Sequence, residues 1–149
     1  MAAPGIGVLM FAAHRAMEQR IVDVIRAAGY TDTTLAQGRV FARIGEHGTR
    51  LTDLAEMAQV TKQTASFLVD QLEKGGYVER VADPTDGRAR LVRISARGRQ
   101  VQAVAAQEEQ AIYREWEAHL GACDMARLAD IMQRLREVTD PYRDLDPGG

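Results

Sequence analysis

The chain has 149 residues, enough for one domain with a single buried core and too few for a second, separate module. Its 46% hydrophobic and 27% charged residues fit the soluble globular class, and 5% aromatics argue against an aromatic-lined platform for single-stranded nucleic acid. The formal net charge of -2 weighs against a uniformly basic surface. Between Lys74 and Arg99, however, seven basic side chains face three acidic ones, so this segment carries a surplus of four and the remainder carries -6.

No apolar run approaches the roughly 20 residues of a membrane span, so an integral membrane protein is excluded. The apolar opening Ile6 to Ala13 has no Lys or Arg before it and runs on into a helical pattern, which argues against a signal peptide and for a cytoplasmic protein. In that first segment Leu9, Ala13, Met17, Ile21, Val24 and Ala28 recur at helical spacing, and Gly29 ends it. A second helix is expected from Thr34 to Glu46, with Leu35, Gly38, Phe41 and either Ala42 or Ile44 inward and His47-Gly48 as the stop.

Thr52 to Ala58, a break at Gln59-Val60, and Lys62 to Lys74 then read as helix, turn, helix. Thr52 and Thr61 are the expected N-caps, because a hydroxyl can accept from an unpaired first-turn N–H. Ala65, Leu68, Val69 and Leu72 give the second of these helices its apolar face, which leaves Lys62, Gln63, Thr64, Ser66, Phe67 and Asp70 outward. The periodicity next becomes extended. Tyr77 to Val81 and Arg90 to Ile94 are expected strands of a β-hairpin whose tip, 82–89, contains Pro84 and Gly87.

Ser95 caps a long helix carrying Val101, Val104, Ala105, Ile112, Trp116 and Leu120. Asp124 is the expected cap of a last helix, with Met125, Leu128, Met132 and Leu135 as a helix-pairing seam. The tail from Pro141 to Gly149 is expected to be loose. The terminal helices carry more apolar surface than a compact middle needs, and a two-fold dimer with interleaved terminal helices would bury it. The alternative is that they fold back on their own subunit.

A helix-turn-helix followed by a basic hairpin matches duplex DNA: the second helix fits the major groove and the hairpin tip reaches a neighbouring minor groove. Gln63 has the paired donor and acceptor that adenine needs, Thr64 and Ser66 suit a base edge or phosphate, and Lys62 neutralises phosphate.

Leu51 to Gly98, reading LTDLAEMAQVTKQTASFLVDQLEKGGYVERVADPTDGRARLVRISARG, resembles the winged helix of the MarR family of bacterial regulators. The wing carries most of the likeness, as Asp83-Pro84-Thr85-Asp86-Gly87-Arg88 and then Ile94-Ser95-Ala96-Arg97-Gly98, preceded by the Leu72 to Arg80 pattern. The resemblance implies a mostly α, single MarR-like domain over 1–149 with a small β-hairpin wing. Its DNA-binding lobe would span about 34–98, with dimerisation helices at about 6–28 and 99–140.

It further implies a homodimeric repressor on a pseudo-palindromic operator, released by a phenolic or lipophilic small molecule. The expected DNA-binding residues are Thr61, Lys62, Gln63, Thr64, Ser66, Asp86, Arg88 and Arg90, with Arg88 in the minor groove and Asp86 steadying it. A ligand pocket between the first, second and fifth helices would draw on His14, Met17, Tyr30, Phe41 and Tyr113, unless these are simply core. Many relatives carry a polar or basic residue where this chain has Phe67, which either meets a thymine methyl or packs under the wing.

Nothing in the sequence points to catalysis. It has no phosphate-binding loop, nucleophile elbow or His-Glu-x-x-His helix, and His14, His47 and His119 lie too far apart for a local zinc motif, so neither cofactor nor metal is expected. Cys123 is the lone cysteine and forms no intrachain disulfide. The competing reading is a winged-helix protein-interaction module that has lost DNA binding.

Overall fold

A computed structural model describes residues 2–145 as six helices and a three-stranded antiparallel sheet. In chain order the elements are α1 (Ile6–Ala27), α2 (Leu35–Phe41), β1 (Thr49–Arg50), α3 (Leu51–Met57), α4 (Lys62–Lys74), β2 (Val78–Asp83), β3 (Asp86–Ile94), α5 (Ala96–Leu120) and α6 (Ala122–Thr139). A 3-10 turn, Arg143–Leu145, follows.

The core lies where the middle elements meet. Val40 of α2, Leu54 of α3, Val69 and Leu72 of α4, Tyr77, and Val92 of β3 are all buried, joined from the long helices by Ile25 and Val101. α4 fits the expected pattern closely: Ala65, Leu68, Val69 and Leu72 face inward, and the Thr61 hydroxyl accepts from the Thr64 N–H. Ser95 likewise caps α5 by accepting from Gly98 N–H at 3.0 Å.

Several boundaries differ from the sequence reading. α2 stops at Phe41 rather than Glu46, and the chain turns through 42–48 into β1, a two-residue strand without enough length to show a period. Because β1 hands the chain directly to α3, Arg50 takes the N-cap position without a side-chain capping bond, and Thr52 falls inside the first turn. Asp124 is also inside its helix: Gly121, at φ 92°, precedes Ala122, and Asp124 places its charge in the first turn of α6.

The hairpin is tighter than expected. Val78 to Ala82 pair in register with Ile94 to Arg90, but Asp83 then pairs with Asp86. Three residues of β3, Gly87, Arg88 and Ala89, therefore have no partner on β2, and they bulge out of the ladder with Arg88 at their centre. β1 pairs with the other edge of β3, giving the order β1-β3-β2. Of the tail expected to be loose, 141–142 form a turn with Tyr142 against the core and Arg143–Leu145 a 3-10 turn; 146–149 lie outside the described residues.

The long helices make a second layer. Arg20 of α1 binds Glu108, at 2.6 Å, and Glu115 on α5. α6 packs on α5 and has no buried residue. Leu128, Ile131 and Met132 of α6 are exposed, as are Ile6, Val8, Leu9 and Phe11 of α1. No helix among the described residues is long and apolar enough to cross a membrane.

Candidate nucleic-acid interface and small-molecule cavity

Lys62, Gln63, Ser66, Phe67 and Asp70 line one shallow depression on the outward side of α4. Thr61 and Thr64 stand at its N-terminal end with their hydroxyls bonded to each other at 2.9 Å. Phe67 is 60% exposed, so it does not pack under the wing as one of its two sequence readings required. Asp70 would repel phosphate, but it is held by Arg80 of β2 at 2.7 Å, together with Glu73 at 2.9 Å.

Ion pairing sorts the basic segment into spent and available cations. Arg80 is committed to α4, and Arg93 to Glu79 at 2.6 Å. Arg97 lies over the rings of both Tyr30 and Tyr77, 5.0 and 4.9 Å from their centroids, and donates to the Tyr77 hydroxyl. Among the described residues the guanidinium groups of Arg88 and Arg90 have no ion pair, so both are free to meet an anion. Asp86 accepts from the backbone N–H of Arg88 at 3.1 Å; it shapes the tip and does not clamp the guanidinium.

The wing is anchored by Asp83, which the sequence reading did not single out. One of its oxygens accepts from the Thr85 N–H and hydroxyl at 2.8 and 2.7 Å, and the other receives Arg50 of β1 at 2.8 Å. An Asp two residues before a Thr, at a Pro turn, was the available signal. These bonds, Thr85's first and then Arg50's, lower the carboxyl from 3.8 to about 2. A depressed carboxyl contributes stability above its unfolded value and loses it as pH falls towards the folded one, here between 3.8 and about 2. The urea midpoint of the protein is therefore expected to fall more steeply across that window than the midpoint of Asp83→Asn; parallel curves would dismiss the anchor.

A cavity of about 480 Å³ lies between α1, α2 and α5. His14, Met17 and Phe41 line it, with Ile21, Val101 and Ala105 adding to an apolar wall. Tyr30 and Tyr113 are not part of the lining. Tyr30 is turned edge-on to Tyr77, with ring centroids 6.1 Å apart, and its hydroxyl bonds Gln100; Tyr113 bonds Glu109 and tilts against Trp116. The polar residues at the cavity include Glu18, Arg39 and Glu109, which the sequence reading missed. His14 and Glu18 are four apart on one helix face, but the Glu18–Arg39 pair joins separate helices and leaves no local pattern.

Residues 31–89, from the loop before α2 through the unpaired tip of the wing, match the MarR family. The arrangement of α3, α4 and the hairpin is consistent with that family's winged helix. A 103-residue stretch is 32% identical to the transcriptional activatory protein BadR of Rhodopseudomonas palustris, covering 68% of this chain and 57% of BadR. The HTH-type transcriptional regulator FarR of Neisseria gonorrhoeae is 25% identical over 136 residues, 91% of each chain. The fold is that of NadR in its complex with 4-hydroxyphenylacetate, with a TM-score of 0.70 over 93% of this chain and 96% of that one at 22% identity.

Proposed function

We propose that this protein is a member of the MarR family and a sequence-specific, DNA-binding transcriptional regulator that works as a homodimer on a pseudo-palindromic operator. The observation that carries the reading is the pairing of an outward α4 surface, whose acid is neutralised, with a wing tip holding two unpaired arginines. In this reading α4 enters the major groove with Lys62, Gln63, Thr64 and Ser66, and the bulged tip carries Arg88 towards the minor groove. Arg90 and the Thr61 end of α4 then lie against phosphate.

The dimer rests on the exposed apolar residues of α1 and α6, which no core of the single chain covers. A small phenolic or lipophilic molecule in the α1–α2–α5 cavity would act on the same geometry. It would shift the long helices against the lobe that carries α4, change the separation of the two recognition helices, and release the protein from its operator as from a repressed promoter. The structure of NadR with 4-hydroxyphenylacetate supports such an effector by analogy of fold. The exposed Phe67 and the net charge of -2 favour a second reading, a protein-interaction module without DNA binding.

The test is a fluorescence-anisotropy titration on duplex DNA from upstream of the protein's own gene and on shuffled DNA, at physiological salt. Binding the native fragment at least about a thousandfold more tightly supports a sequence-specific regulator. The Ile131→Glu variant, which puts a charge on the exposed α6 face, should sediment as a monomer and lose that affinity. Absence of binding to either DNA would hand the protein to the second reading.

A further inference from the structure

The α1–α2–α5 cavity has mostly apolar walls, so the few charged groups at its margin decide which head group a ligand may carry. The basic side chains lining it are His14 and Arg39. Arg39 is already engaged: its Nε and Nη2 donate to the two oxygens of Glu18 at 2.9 and 3.0 Å, the forked geometry of a strong ion pair. His14 Nε2 lies 3.2 Å from the same carboxylate. The Glu18 side chain is only 13% exposed, so the acid holding both bases is fixed in the wall. Arg39, more than His14, keeps the Glu18 carboxyl below its ordinary value. From α5, Glu109 adds a second carboxyl group to the lining.

We infer that this cavity takes apolar molecules with a neutral or cationic head group and rejects carboxylates; the inference rests on the ligand-binding reading proposed above. A ligand carboxylate would have to displace Glu18 from Arg39, breaking two charge-assisted hydrogen bonds and leaving the displaced acid in the wall. It would also meet Glu109. An ammonium group, by contrast, finds acceptors in both carboxylates without disturbing Arg39, and an amide or alcohol can share the outer lone pairs of Glu18.

The test uses three probes with one apolar body: naphthaleneacetate, naphthaleneacetamide and naphthaleneethylamine of the same ring isomer, titrated calorimetrically into the full-length protein. The amide and the amine are expected to bind at least about tenfold more tightly than the carboxylate, the scale of one partly screened charge contact. In Glu18→Gln, which frees Arg39, the carboxylate should gain roughly tenfold and the amine should weaken. Equal or preferred binding of the carboxylate by the unmodified protein, or an unchanged order in Glu18→Gln, overturns the inference. Ala106→Phe, which narrows the same cavity, separates the two levels of the argument. Carboxylate-preferring binding that this variant abolishes overturns only the head-group rule, whereas binding it leaves intact, or no binding of any probe, overturns the ligand site itself and the rule with it.

Discussion

Gly98→Ala is expected to cost about 3 kcal/mol of folding stability, the upper part of the usual range for overpacking a buried site. The added methyl group would collide with the Tyr77 carbonyl oxygen and lie 2.7 Å from Ile94 Cγ2. Neither neighbour can yield cheaply. The Tyr77 carbonyl is backbone that already accepts from the Ser95 N–H at 3.0 Å, and Ile94 is buried at the end of β3. The collision falls where the hairpin passes into α5, so relief requires α5 to lift away from the sheet. Urea denaturation measures the loss, and a midpoint within error of the parent protein would show that α5 has room the structure does not give it. Gly5→Ala is the control, because a Cβ there meets nothing within 4 Å.

That junction also shows why some of this protein was legible in its sequence and some was not. Thr61 and Ser95 could be read as caps because capping is local: a hydroxyl and the N–H three residues on suffice. Thr52 offered the same local signal and was misleading, since two residues of β1 pair with β3 and fix where α3 must begin. The amphipathic face of α4 followed from spacing alone. The bulge that carries Arg88 did not, because it depends on how β2 and β3 register.

The candidate site divides along the same line. The residues proposed to face DNA sit on one helix and one hairpin, so a pattern within the sequence could assign Lys62, Gln63 and Arg88 to one candidate surface. The cavity is assembled from three helices distant in the chain. Of its aromatic candidates, Phe41 lines the cavity, whereas Tyr30 and Tyr113 find partners in Tyr77 and Glu109. Its decisive ion pair, Glu18 with Arg39, spans 21 residues and has no sequence signature. Charge counting was also too coarse: the surplus between Lys74 and Arg99 contains arginines already committed to Asp70, Glu73 and Glu79.

In the proposed DNA complex, with Arg80 and Arg93 committed within the fold, the wing's affinity would pass through its unpaired residues, and Arg88 at the centre of the bulge is the first to test. Arg88→Ala is expected to weaken operator binding by about 2 to 4 kcal/mol for a dimer, from two contacts of 1 to 2 kcal/mol each, or roughly a hundredfold. The salt dependence makes the assignment specific. Each phosphate-neutralising cation contributes about -0.9 to the slope of log K against log salt, so removing two should make that slope shallower by about 2. Arg88→Lys keeps the charge and should keep the slope, while losing the part of the affinity that needs a planar guanidinium in a narrow groove. Arg93→Ala should leave the slope unchanged, because that arginine is paired with Glu79. Anisotropy titrations of the three variants over a range of salt would decide the matter. An Arg88→Ala slope equal to that of the parent would take the wing tip off the DNA and shift the affinity to α4.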